Sequence, residues 1–312
     1  MYQLKQISST PSDVWNMLSM VTIEEGVEAF LTTLKCHTKR SYRTCFKNIF
    51  QIWEEGNLIS RKSSLQVFAQ SNLENLLDFI HQRIPGSIST KQHRCAAFIS
   101  LTKYLCRVTG RLIPVAIPKS GIDATFQKIR TKATTKALNL EEWHKFSNEL
   151  KKLSYREYLI AKAIFQGAKR CSEVLESKIE NIDWEKNAIM YKQMKSHILE
   201  SSTYIYYSKE YMDELKQYLG SRTTGYIFVT RNGRLISQNT LYRSFAYASN
   251  MAKMRMRVHP HMLRASAITS LIKMGYHSDQ IMQISGHTNP VMVLYYDKTP
   301  IEENISKDIK LC

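Results

Sequence analysis

Pro260-His261-Met262-Leu263-Arg264 is the passage of this sequence with the clearest chemical meaning. On a helix His261 and Arg264 stand three residues apart and share a face. Two cations together, off the apolar stripe, are odd for packing and natural for a phosphate. Gly275 follows, then Gly286-His287, then Tyr295-Tyr296, and Tyr296 is the ninth residue after His287. A lone His-x-x-Arg carries little information. The later Gly-His and a tyrosine at that spacing change its meaning.

This order of residues resembles the tyrosine recombinases of the phage integrase family, which carry an H-x-L-R box, a G-H, and a nucleophilic tyrosine nine residues beyond that histidine. Arg170-Cys171-Ser172-Glu173, read as lying late in a helix, resembles the family's first arginine box, R-x-S-E. Lys195, in the turn of a predicted hairpin, resembles its mobile-loop lysine. The opening of the second helix, His37-Thr38-Lys39-Arg40-Ser41-Tyr42, looks like part of its core-binding domain. Within the family the chain is similar to the plasmid-borne integrases of chlamydiae. The expected catalytic set is therefore Arg170, Lys195, His261, Arg264, His287 and the nucleophile Tyr296.

Elementary chemistry supports that set. A phosphodiester under attack has two non-bridging oxygens whose charge must be held. Arginine suits them, since its planar fork donates paired hydrogen bonds and keeps its charge. Histidine can donate to the same oxygens or accept a phenol proton. Tyrosine is a poor nucleophile until such groups help it. The resemblance gives Lys195 the departing 5′ oxygen to protonate. It also implies a 3′-phosphotyrosyl intermediate, and four protomers acting on two duplexes. No cofactor and no metal are expected. Plainer readings stand beside each residue. Arg170 can pair with Glu173 or Glu176, Lys195 can be a solvated neighbour of Lys192, His261 and His287 can be helix-end or core histidines, and Tyr296 is one of 17 tyrosines.

The sequence also departs from the family. Ala265 stands where a second histidine is common, Ser285 replaces a leucine before Gly-His, and Met292-Val293 replace a threonine pair. Gly167 lies one position earlier than the usual glycine before the first arginine. None of these changes removes a catalytic side chain.

Composition agrees with a polyanionic partner, nucleic acid or an acidic membrane surface, and the resemblance implies double-stranded DNA. The 312 residues carry 44 lysines and arginines against 27 acidic residues, a formal charge of +17, and such an excess speaks of partners rather than of fold. Residues 101–136 hold eight basic side chains against Asp123 alone. Lys128, Arg130 and Lys132 in that run, with Lys39, Arg40 and Arg43 near the second helix, are the candidate DNA-binding residues. No apolar run approaches the length of a membrane span, and no signal peptide is visible. Six cysteines without a C-x-x-C pair read as reduced thiols, so a cytoplasmic location is expected.

The elements that must position these residues are mainly helical. Apolar residues recur at spacings of three and four from about Ile23 to Gly110. They define four helices, broken at Gly56-Asn57 and Pro85-Gly86 and stopped near Gly110. This N-terminal helical bundle (a SAM-like core-binding domain by the resemblance) spans 1–111. A basic linker follows at 112–136, with Pro114, Pro118 and Gly121 and without periodicity. The catalytic domain, 137–312, opens on an Asn139…Glu142 capping box and continues with a helix over about 155–175. Ala188–Lys192 and Thr203–Ser208 then read as a small antiparallel hairpin, with Tyr226–Val229 as a further strand before the Asn232-Gly233 turn. The chain ends in a tail, Asp297–Cys312, whose apolar set can dock on its own domain or on a neighbouring subunit. By the resemblance the two domains form a C-shaped clamp around DNA. Two other readings keep part of this pattern: a DNA-binding regulator or replication factor with the fold but not the reaction, and a type IB topoisomerase.

Overall fold

The computed structural model describes residues 10–121, 124–127, 137–192 and 202–296. The chain divides into two compact units, Met1–Ile129 and Arg130–Cys312, and each closes around its own apolar core.

The first unit holds α1 (Pro11–Met20), α2 (Ile23–Thr32), α3 (Cys36–Glu55), α4 (Leu65–Gln70), α5 (Leu73–Arg83) and α6 (Ile88–Val108). Side-chain oxygens of Thr10, Thr22, Ser64, Asn72 and Ser87 cap five of these helices at their N-termini. The predicted stripe Phe46, Ile49, Phe50 and Trp53 is buried on α3, where Trp53 meets Phe98 of α6 edge-on with ring centroids 5.3 Å apart. Two helices, α1 and α4, were not foreseen. At six residues α4 is too short to display a period. Beyond α6 the chain stays with this core. Ile113 and Ala116 are buried in it, and the Ala116 amide donates to Thr102 Oγ1 at 3.1 Å. The unit therefore extends past Arg111, where the sequence placed the start of the linker. Lys128, Arg130 and Lys132 lie outside the described residues.

The second unit runs α7 (Leu140–Leu153), α8 (Tyr155–Gly167), α9 (Cys171–Leu175), a 3₁₀ turn, β1 (Ile182–Asp183), β2 (Ala188–Lys192), β3 (Ser202–Tyr206), α10 (Lys209–Leu219), α11 (Gln238–Met251), α12 (Pro260–Lys273), α13 (Ser278–Ser285) and α14 (Pro290–Leu294). The strands form one antiparallel sheet in the order β1-β2-β3, with Tyr191 opposite Thr203. The Asn139…Glu142 capping box is present. Tyr226–Val229 is not a strand: Tyr226 and Val229 make only single bridges, to Lys178 and Leu235. The Asn232-Gly233 turn closes too soon after it for a ladder to grow. Helices α8 and α12 pack on each other and are buried on nearly every side, as befits central helices. A charged side chain leaving α12 thus enters the interior.

The predicted helix over 155–175 is broken. Helix α8 ends at Gly167, Ala168 takes a left-handed conformation (φ 47°, ψ 32°), and α9 begins after Arg170. The break turns on two neighbours with different demands. A Cβ at Gly167 would collide with the Tyr207 hydroxyl. That hydroxyl is fixed, donating to the Ala163 carbonyl at 3.1 Å and lying 2.7 Å from the Tyr191 hydroxyl. Ala168, at the position where the family usually has glycine, carries the left-handed backbone despite its methyl group, a costly conformation for an L-residue. Gly167→Ala is expected to lower unfolding free energy by about 1–3 kcal/mol, the usual penalty for overpacking. Urea denaturation checks this through a lower midpoint at unchanged slope; an unmoved midpoint would mean that Tyr207 yields freely.

Candidate active site

The break after α8 is what brings the first arginine to the second. Arg170 is the N-cap of α9. Its amide and its Nη1 both donate to the Glu173 carboxylate, each at 2.8 Å. Glu173 is buried, while the Arg170 side chain keeps 29% of its surface exposed, so the carboxylate anchors a guanidinium that still faces outward. The pairing offered as the plainer reading of Arg170 exists, and it orients the side chain.

Arg264 comes from the middle of α12 and is 2% exposed. Its Nη1 donates to the carbonyl of Ala168 at 2.7 Å and lies 3.9 Å from Glu173 Oε2. Its Nη2 lies 2.9 Å from His287 Nε2. A guanidinium only donates, so Nε2 is the acceptor and the His287 proton sits on Nδ1. That proton faces Ser285 Oγ at 2.9 Å. Ser285, read from sequence only as a departure from leucine, is thus the hydroxyl that accepts this proton once Arg264 has set the tautomer. Gly286 makes the arrangement possible by capping α13 in the left-handed conformation (φ 71°).

His261 lies on the first turn of α12, exposed, with its ring stacked at 6.4 Å on His259. His259 caps the helix by accepting the Met262 amide on Nδ1 and stacks in turn on Tyr242, 6.3 Å away. Neither His259 nor Tyr242 was singled out by the sequence, because neither belongs to a recognisable spacing. Tyr296 follows α14. Its ring centroid lies 6.1 Å from that of His287 and 6.5 Å from that of His261. It is buried, whereas Tyr295 is 39% exposed, and it packs with Val293, Ala265 and Ala168 in a small apolar cluster. Two of the family departures are therefore packing positions around the tyrosine.

Five of the six expected catalytic residues stand together. The sixth, Lys195, lies outside the described residues, as does the tail from Asp297. Of the candidate DNA-binding residues in the first unit, Lys39, Arg40 and Arg43 all lie in the first turns of α3. Arg40 and Arg43 are exposed, and Arg43 is paired with Glu28 at 2.6 Å.

A pocket of about 180 Å³ opens between these elements, lined among others by Arg170, His261, Arg264, Gln238 and Tyr242. Its electrostatics are one-sided. Burial, then the neighbouring Arg264, Arg170, Lys169 and His261, push the His287 imidazole down to about 3. Burial and Arg170 likewise pull Arg264 down to about 10, against Glu173 and Tyr296, so it remains cationic near neutrality. His261, exposed at the rim but partly desolvated by its neighbours, is lowered by that desolvation, by His259 and by the two arginines. Such a site can clamp an oxyanion between two guanidinium groups and offer a neutral imidazole to a phenol. This is the equipment of phosphoryl transfer through tyrosine.

Comparison with known proteins gives the family. The model of the phage integrase family matches residues 134–301. The virulence plasmid integrase pGP8-D of Chlamydia muridarum is 35% identical over 303 residues, covering 95% of this chain and 90% of that protein. The pGP7-D integrase of the same organism is 32% identical over 272 residues, 85% of this chain and 87% of that one. Among solved structures, XerH recombinase bound to its difH substrate superposes with TM-score 0.66 at 17% identity, covering 96% of each chain. A lambda integrase dimer bound to a core site gives 0.67 at 16% identity, covering 94% of this chain and 81% of that one. The chain belongs to the phage integrase family and is a site-specific tyrosine recombinase.

The His287 environment has a measurable consequence. An unfolded imidazole protonates near 6.5, the folded one near 3. Below about 6.5 the unfolded chain binds the extra proton, so this group's contribution to stability is lost as pH falls toward 3. In an NMR titration His287 should stay neutral at pH 5, with Nδ1 protonated and Nε2 bare. A midpoint near 6 would contradict the buried pairing with Arg264.

Proposed function

We propose that this recombinase cleaves and rejoins double-stranded DNA through a 3′-phosphotyrosyl link on Tyr296. The observation that carries the reading is Tyr296 between two histidine rings, 6.1 and 6.5 Å away, with one of those rings bonded to the buried Arg264.

Arg170 and Arg264 hold the two non-bridging oxygens of the scissile phosphate, one from the pocket wall and one from its floor. As Arg264 Nη2 turns to the phosphate, His287 Nε2 is released to accept the Tyr296 proton. His261 donates to an oxygen of the same phosphate from the rim. The tyrosyl oxygen then forms a bond to phosphorus while the bond to the 5′ oxygen breaks, and Lys195 supplies the proton that leaves with it. The 5′-OH of a partner strand reverses the step, so the energy of the broken bond is retained in the phosphotyrosine.

The first unit, Met1–Ile129, is read as the core-binding domain and 137–312 as the catalytic domain, with the basic residues that join them lying along phosphates. Lys39, Arg40, Arg43, Lys128, Arg130 and Lys132 supply backbone contacts. Four protomers on two duplexes complete the assembly. DNA as the partner is supported by the printed descriptions of XerH and lambda integrase as DNA complexes and by the charge of +17.

A nicked suicide duplex drawn from the DNA flanking the chain's own gene tests the chemistry. Wild type should trap a covalent complex; Tyr296→Phe should abolish it with binding nearly intact, and Tyr295→Phe should retain it. Arg264→Lys should slow cleavage on the order of 10²-fold or more, because one ammonium cannot serve the carbonyl, the imidazole and the phosphate in a fork. Trapping by Tyr296→Phe would remove the nucleophile from this reading. For binding, log affinity should fall with log salt at about 0.9 per neutralised phosphate. Removing Lys128, Arg130 and Lys132 together should make that slope shallower for any sequence, and an unchanged slope would leave the linker as a solvated tether.

A further inference from the structure

Lys169 was not among the residues the sequence singled out, and its surroundings are unusual. It stands between left-handed Ala168 and the N-cap Arg170, and it is 0% exposed. Its Nζ donates to Thr203 Oγ1 of β3 at 2.5 Å and lies 5.7 Å from the centre of the Tyr191 ring on β2. Tyr191 and Thr203 are directly opposed in the ladder, one rung before its Lys192·Ser202 end. One buried side chain thus joins the turn that presents Arg170 to both strands of the hairpin. It also lines the pocket that Arg170, His261 and Arg264 line.

A lysine so placed is costly to keep. Every charged or titratable group facing it bears on its proton. Glu173 of α9 favours the charge, while Arg170 and Arg264 of α12 oppose it. His287, beyond α13, is itself pushed down by it. Tyr191 offers a ring face and Thr203 a hydroxyl. Burial dominates and draws the amine down to about 7. A structural role alone needs no amine here, since a methionine would fill the same apolar stem space at less cost.

We propose that Lys169 is a positioning residue of the strand-transfer site: it ties the Arg170 turn to the Tyr191·Thr203 rung, and it takes up a proton as the DNA phosphate settles against the two arginines. The inference rests on the phosphate-site reading above. A phosphate adds negative charge beside a cluster whose only carboxylate is Glu173 among the groups facing Lys169, which favours the ammonium. By linkage, binding then consumes a proton at alkaline pH. The charged amine strengthens its bond to Thr203 and locks hairpin and arginine turn together when the substrate is in place.

The test compares wild type with Lys169→Met and Thr203→Val, using the flanking-DNA duplex that wild type binds best, left intact. Calorimetry at pH 8 in two buffers of different ionisation enthalpy gives the protons taken up. Wild type should take up roughly half a proton or more beyond Lys169→Met, with Thr203→Val between them. Equal uptake in wild type and Lys169→Met overturns the inference. Denaturation supplies an arm without DNA. Between about 7, the folded value, and about 10.4, the unfolded one, the unfolded chain holds the extra proton. Wild type should therefore gain stability relative to Lys169→Met as pH rises from 7 to 9.5, and a constant difference overturns the inference. With the suicide duplex, Lys169→Met should cleave about tenfold more slowly at nearly unchanged affinity, the scale of one hydrogen bond. If Lys169→Met fails to fold, uptake by Thr203→Val decides: reduced uptake supports the tether and undiminished uptake overturns it. No phosphotyrosyl link in wild type, with Lys169-dependent uptake present, overturns the cleavage reading alone. Cleavage with equal uptake overturns the Lys169 inference alone.

Discussion

Arg264 is a cation with 2% of its surface exposed, and the site is arranged around the need to keep it there. A buried charge is tolerated only when its donors are matched. Its partners are the Ala168 carbonyl and His287 Nε2, which accept hydrogen bonds at 2.7 and 2.9 Å, and the Glu173 carboxylate, an ion-pair partner with Oε2 3.9 Å away. Each comes from a different element, so the guanidinium pins the end of α8, the start of α9 and the turn after α13 to the middle of α12. Glu173 meanwhile orients Arg170. Remove the fork and three backbone turns lose their common point.

That dependence explains why α8 stops where it does. If it continued, the carbonyl of Ala168 would be spent within the helix and unable to meet Arg264. The left-handed turn frees it. Gly167 permits the approach of Tyr207 on one side, and Ala168 bears the strain on the other. Strain of this kind persists where the surroundings over-determine it, commonly at functional sites. The same turn swings Lys169 inward and leaves Arg170 facing the pocket, so three consecutive residues acquire three different environments from one break.

The sequence carried the site's linear logic well and its depth poorly. Spacing, read through the family resemblance, placed His261, Arg264, His287 and Tyr296 together, and helices α12, α13 and α14 follow one another with short turns. Apolar periodicity located α2, α3, α5 and α6, and the capping box located α7. The helix break was hidden: residues 155–175 hold neither a proline nor a turn dipeptide, so a continuous helix and one interrupted in the middle look alike. With the break unseen, nothing in the sequence set Lys169 apart. Ser285 read as a lost leucine, since its purpose depends on which imidazole nitrogen Arg264 occupies. Tyr226–Val229 had strand-forming residues but no partner strand long enough to pair with them.

The directions of the perturbed bases point to a common cause. Lys169, His261, Arg264 and His287 are all shifted toward their neutral forms, each by burial first and then by the other cations. Four groups displaced the same way describe a site with too much positive charge for the single carboxylate, Glu173, that faces Lys169, Arg170 and Arg264. Ordinary packing would relieve this by adding acids or removing bases, and the chain has done neither. The imbalance costs stability in the free protein, and an anion at the pocket would relieve it. By reciprocity, whatever the anion does to these protons the protons do to its affinity. Preorganised cations of this kind need no rearrangement as charge develops on an attacked phosphate, and that is where electrostatic catalysis is strongest. The free protein's electrostatic discomfort and its proposed reaction are, in this reading, one property.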